Sequence, residues 1–191
     1  MRIGLFGGTF NPVHTGHLRL AEGALKFLNL DELWWIPAHL SPHKPADPAS
    51  ASPEDRAQMI ELAIEGHPKF RLNRVELNRP PPSYTIDTVT ELQRAHPSKE
   101  WEWFFLVGSD LARTLESWHR IDELLGRVTF VAIPRPGDSG EPLPFNVQRI
   151  PVQTAAVSSS EIRQSVREGR TVNASVPPAV NRYLQEKKLY R

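Results

Sequence analysis

No cysteine occurs anywhere in the chain. Disulfides, thiolate nucleophiles and cysteine-ligated metals are therefore excluded. Long apolar runs are missing too; a membrane-spanning helix needs about 20 such residues in succession. The N-terminus enters a strand at once, which leaves no stretch patterned like a signal peptide. The expectation is a soluble, cytoplasmic protein with no membrane partner. Charge of one sign is also scarce. The 23 Lys and Arg against 22 Asp and Glu leave a formal net charge of +1, so no broad basic field invites nucleic acid. Internal repeats and low-complexity tracts are absent. A homo-oligomer is left open.

Proline is in excess. Its 18 residues are roughly twice the usual ~5% share. They gather at Pro37–Pro53, Pro80–Pro82, Pro134–Pro144 and Pro177–Pro178, in loops between periodic segments that proline restrains. The 191 residues suffice for one α/β domain with a proper core and are too few for two. We expect a single domain over 1–191, with a C-terminal helical segment from about 158 to 191 packed on it.

The chain is organised around its start. Ile3, Leu5 and Phe6 read as an apolar strand, and Gly7, Gly8 and Pro12 punctuate a loop. From His17 onward Leu18, Ala21, Leu25 and Leu28 fall at helical spacing. Strand, glycine loop and helix aim loop amides and a helix N-terminus at one spot, which suits a phosphate. His14 and His17 stand at the loop-to-helix junction, where imidazole N–H groups can reach the same anion. A structural pair and a zinc site are the alternatives. Zinc is disfavoured because the i,i+4 histidine pair with adjacent glutamate is absent, as is cysteine.

Five more strands follow: Glu32–Ile36, Phe70–Leu77, Trp101–Val107, Arg127–Ile133 and Val147–Ile150. Between them run helical segments. One starts at Ser52-Pro-Glu-Asp55, an N-cap followed by proline and acid, with Ala57, Ile60 and Ile64 inward. Another carries Ile86, Val89 and Leu92. A third begins at Pro177-Pro178, with Val180, Tyr183 and Leu184 packing back. Six strands alternating mostly with helices predict a doubly wound parallel sheet. Several side chains admit two readings. Ser83 can be simply the N-cap of its helix; Asp110 can cap the helix at Leu111; Trp118 can be a core residue. Ser158-Ser159-Ser160-Glu161 can be a capping box, and Lys44 can belong to a solvated proline-rich loop.

Gly7-Gly-Thr-Phe-Asn-Pro-Val-His14-Thr-Gly-His17 resembles the signature of the HxGH nucleotidylyltransferases. Downstream, Pro82-Ser83-Tyr84-Thr85, Gly108-Ser-Asp110 with Trp118 eight residues on, and Val157-Ser158-Ser159-Ser160-Glu-Ile-Arg163 narrow the likeness. Together they resemble the bacterial nicotinate-nucleotide adenylyltransferases over nearly the whole chain. The resemblance implies a Rossmann-like nucleotidylyltransferase fold. It also implies adenylyl transfer from ATP to nicotinate mononucleotide, giving nicotinate adenine dinucleotide and pyrophosphate. Gly8, Thr9, Phe10, His14, His17, Gly108, Asp110, Arg135, Ser158, Ser159, Ser160 and Arg163 would meet ATP. Lys44, Ser83, Tyr84, Thr85 and Trp118 would meet the acceptor, and His14, His17 and Arg163 would carry catalysis. Mg²⁺ would arrive on the triphosphate, since the sequence shows no dedicated carboxylate cluster. One departure stands out: the family usually has aspartate where this chain has Asn11. The amide keeps an acceptor but loses the charge. Rival readings are a nicotinamide-mononucleotide or dual-specificity enzyme and a nucleotide-binding regulator without turnover. A hydride-transfer enzyme is weaker still, because Gly-x-Gly-x-x-Gly is missing after the first strand.

Overall fold

The computed structural model describes residues 1–40, 50–134, 138, 140–152 and 157–191. Its strands are β1 (Arg2–Gly8), β2 (Glu32–Pro37), β3 (Phe70–Leu72), β4 (Glu102–Gly108), β5 (Thr129–Ile133) and β6 (Gln148–Arg149). They form one sheet in the order β3-β2-β1-β4-β5-β6, with every neighbouring pair parallel. The helices are α1 (Thr15–Phe27), α2 (Pro53–Ile64), α3 (Thr85–Ala95), α4 (Ser109–Ala112), α5 (Ile121–Leu125), α6 (Ser159–Arg167) and α7 (Pro178–Glu186). This is the doubly wound parallel architecture, with its switch point between β1 and β4. No helix among the described residues is long and apolar enough to cross a membrane.

Alternate residues of each strand feed two cores, because side chains leave a strand on opposite faces. Phe6, Leu33, Trp35, Phe104, Leu106 and Val131 meet α1, α2, α6 and α7 on one face. Ile3, Leu5, Trp34, Ile36, Phe105 and Phe130 meet α3, α4 and α5 on the other. One reading needs correction. The third strand stops at Leu72 rather than reaching Leu77, because Asn73 Oδ1 accepts from Val75 N at 3.0 Å and turns the chain. Along α1 the buried stripe is Gly16, Leu20, Ala21 and Ala24. Leu18 and Leu25, at helical spacing with Ala21, are half-buried and pack against the edge of the same core.

Candidate active site

The carboxyl ends of β1 and β4 lie side by side, where open α/β sheets bind ligands. After Gly8 the backbone turns sharply. A Cβ at Gly8 would sit 2.9 Å from the Phe10 ring, so only glycine fits there. Phe10 holds a left-handed φ of 49° while its buried ring packs 5.3 Å from Phe6, 5.3 Å from Trp35 and 5.1 Å from His17. The loop carbonyls are drawn to the scaffold one after another. Ala38 N donates to Gly8 O at 2.9 Å. Arg56 Nη1 donates to Thr9 O and Arg163 Nη1 to Asn11 O, both at 2.8 Å, and Ser159 Oγ donates to Pro12 O at 2.9 Å. In a trans peptide the C=O and the following N–H point oppositely. The Thr9 and Phe10 amides therefore face away from these anchors.

At the start of α1 the two histidines cap each other. His17 N donates to His14 Nδ1, and His14 N donates to His17 Nδ1, each at 3.3 Å. The rings stack with centroids 3.6 Å apart. Because both Nδ1 atoms accept, each neutral ring carries its proton on Nε2. Two amides of the first turn are thereby spoken for: His17 N by His14, and Thr15 N by Ser175 O at 2.9 Å. The helix N-terminus expected to hold an anion directly is thus partly closed.

The second signature divides its labour. Ser158 is the N-cap of α6, its hydroxyl accepting from Glu161 N while Glu161 reaches back to Ser158 N. The capping-box reading therefore holds at Ser158. Ser159 ties the first loop, and Ser160 Oγ lies 3.5 Å from Arg163 Nη2. Arg163, with Ser159, joins α6 to the histidine loop. Asp110 is exposed in the first turn of α4, whose N-cap is Gly108 with no side-chain cap; Asp110 does not cap that helix.

On the acceptor side Ser83 is not a helix cap. Tyr84 occupies the N-cap of α3, with no side-chain cap hydrogen bond. Ser83 is 6% exposed, and its amide donates to Leu40 O at 3.1 Å. Burial pushes the Glu76 carboxyl above its usual range, against hydrogen bonds from Thr88 and Ser83 and the charges of Arg79 and Arg56. Tyr84 and Thr85 are half-buried, and the Tyr84 ring lies 4.6 Å from that of His119. Trp118 is buried, edge-on to Phe105 at 6.1 Å and to Phe130 at 5.9 Å. It is a core residue, and a stacked ring could reach only its accessible margin. Lys44 and Arg135 lie outside the described residues. Among the described residues, no three His, Asp or Glu side chains converge to hold a metal.

Sequence reasoning missed three supports: Arg56, Glu76 and Tyr190. Arg56 is 2% exposed and bridges Thr9 O to His39 O, the latter at 3.1 Å; burial lowers its pKa. Its signal was legible, a cation four residues before Ile60 on the inward stripe of α2. Tyr190 gave none, for its partner Asn11 lies 179 positions away.

Residues 5–165 match the family model described as cytidylyltransferase-like. A probable nicotinate-nucleotide adenylyltransferase of Geobacillus kaustophilus strain HTA426 is 47% identical over 99% of this chain and 86% of its own length. One from Bacillus pumilus strain SAFR-032 is 44% identical over 99% of this chain and 98% of its own. In fold, the chain is similar to Plasmodium falciparum nicotinic acid mononucleotide adenylyltransferase solved in complex with NaAD. The TM-score is 0.80 at 21% identity, over 99% of this chain and 97% of that one.

Proposed function

Because the chain belongs to the cytidylyltransferase-like family, and within it to the nicotinate-nucleotide adenylyltransferases, we propose a role for each part of the site in that reaction. The enzyme transfers the adenylyl group of ATP to nicotinate mononucleotide, giving nicotinate adenine dinucleotide and pyrophosphate, a step of NAD biosynthesis. The nucleophile is the acceptor's own phosphate, largely dianionic at pH 7 because its second pKa is about 6. Its oxygen forms the new bond to the α-phosphorus as the bond to pyrophosphate breaks. No general base is required. What must be supplied is positioning of two polyanions and donors for the charge that develops between them.

The mutually capped histidines support this reading, since their geometry puts the ring proton of each on Nε2 at the loop-to-helix junction. His17 serves the α-phosphate in the transition state, with His14 beside it. Arg163 and Ser160 meet the β/γ end, Gly108 and Asp110 the ribose, whose hydroxyls donate to a carboxylate that only accepts. ATP enters as its Mg²⁺ complex. Ser158 and Ser159 act as cap and loop tie. The acceptor lies toward Ser83, Tyr84 and Thr85, where α3 starts without a side-chain cap and its amides suit a carboxylate.

The acid form of the acceptor should therefore be preferred. A carboxamide must place an N–H₂ donor against N–H groups, and unpaired donors in a desolvated pocket cost about 1–3 kcal/mol each. The test is pyrophosphate release with saturating ATP and Mg²⁺ against both mononucleotides. At least a tenfold higher kcat/KM for the nicotinate form is expected. Comparable values would move the enzyme to the dual-specificity reading.

A further inference from the structure

Tyr190 is the last residue but one, yet it is buried at 9% exposure, and its hydroxyl donates to Asn11 Oδ1 at 2.6 Å. The same oxygen accepts from Ala51 N at 3.0 Å, and Asn11 itself is 5% exposed. Tyr190 takes a φ of 63°, and Phe10, next to Asn11, a φ of 49°. A residue with a side chain stays in that left-handed region only where its surroundings over-determine it. On the loop side they do so through the ties to Gly8, Thr9, Asn11 and Pro12.

We propose that Tyr190 is a positioning residue for adenylyl transfer. Its phenol holds the Asn11 side chain, and Asn11 in turn fixes the loop that aims the Phe10 amide, seats the Arg163 guanidinium on its carbonyl and leads into His14. The proposal rests on the reading of this loop as the ATP side of the site. An amide at position 11 fills this role as well as a carboxylate would. Both partners of Oδ1 are donors, so an acceptor is needed there and a negative charge is not. An aspartate keeps both bonds; an alanine keeps neither.

The C-terminal segment supplies its own control. Tyr183 OH donates to Asp55 Oδ1 at 2.8 Å and fastens the segment to α2 without touching the loop. Five variants are compared in the whole protein: Tyr190→Phe, Asn11→Ala, the double variant that combines these two, Asn11→Asp and Tyr183→Phe. The readouts are thermal melting, the Kd of a non-hydrolysable ATP analogue, and separate KM values for ATP and nicotinate mononucleotide. Tyr190→Phe and Asn11→Ala should each raise the ATP-analogue Kd and the ATP KM by about tenfold. The acceptor KM should stay within about twofold and Asn11→Asp within about threefold of the parent. The double variant should bind no worse than Asn11→Ala alone. Tyr183→Phe should lower the melting temperature and leave ATP binding unchanged. A Tyr190→Phe enzyme that melts earlier yet binds the analogue like the parent would overturn the proposal, as would additive effects in the double variant. If Tyr190→Phe does not fold, Asn11→Ala decides by the same ATP-selective signature. Should the parent release no pyrophosphate with any acceptor, the proposed function fails while the analogue Kd still decides the role of Tyr190.

Discussion

Helices on the two faces of the sheet begin differently. On one face α1, α2 and α6 start under side-chain caps from His14, Ser52 and Ser158, and α7 starts at a proline. On the other face α3, α4 and α5 start at Tyr84, Gly108 and Arg120 with no side-chain cap hydrogen bond. Capped helices have given some of their first-turn donors to the protein, and uncapped ones have not. In the proposed reading, triphosphate on the capped face is met beside the loop amides by side chains, two imidazoles and a guanidinium, whose donors can be aimed independently of the backbone. The uncapped α3 can instead offer its amides to a small anion. The fastening differs as well. On the capped face the long-range ties end on backbone carbonyls and an amide oxygen, with Arg56, Arg163, Ser159 and Tyr190 as donors. The Asp138 corner of the other half relies on ion pairs, Asp138 lying 3.1 Å from Arg149 and 3.2 Å from Arg113.

The sharpest way to break this contrast is to take the imidazole donor from the capped face. His17→Ala should lower kcat by about two to three orders of magnitude with little change in ATP affinity. Single-turnover rates beside analogue binding separate the two; near-normal turnover would return phosphate binding to the helix amides. Next in size, a cap can be given to the uncapped face. Tyr84→Asp puts a carboxylate where the acceptor's own is expected. It should raise the KM for nicotinate mononucleotide about tenfold beyond Tyr84→Ala while ATP KM stays put. Equal KM values in the two variants would mean that the α3 amides do not serve the acceptor.

Smaller effects separate cap from ligand contact. Ser158→Ala should cost about 1 kcal/mol of stability in urea unfolding and leave the ATP KM within about twofold. A large KM effect would put the Ser158 hydroxyl back on the triphosphate. The smallest expected change concerns acid. The Arg149 guanidinium holds the Asp138 carboxyl down at about 2, with help from Ser109 and the Gly140 amide and against burial. Its folded value lies below the ordinary 3.8, so its stabilisation is complete above about pH 4 and is lost as pH falls toward 2. Asp138→Asn should melt earlier than the parent at pH 7, and the gap should shrink as pH falls through that window. A constant gap would exclude the ion pair as its source.

Much of the fold was legible because strand alternation and helix spacing are local. Six strands, the cap at Ser52 and the histidine junction all follow from residues within a turn or two of each other. The length of β3 did not, because Asn73 competes for the backbone with a side-chain bond that periodicity does not register. Nor did the identity of the N-cap residue of α3, which is Tyr84, while Ser83 is buried one residue earlier with its amide on Leu40 O.

What the sequence determined by itself is the fold class, the strand-loop-helix that carries His14 and His17, and the family whose chemistry they serve. Only the tertiary structure decided which donors the protein itself engages. Ser159 and Arg163 turn to the carbonyls of Pro12 and Asn11, Arg56 reaches Thr9, and Tyr190 closes on Asn11 from the far end of the chain. Each of these bonds depends on a partner at least 47 positions away. Residue type states what a side chain can donate; the packed chain states to whom.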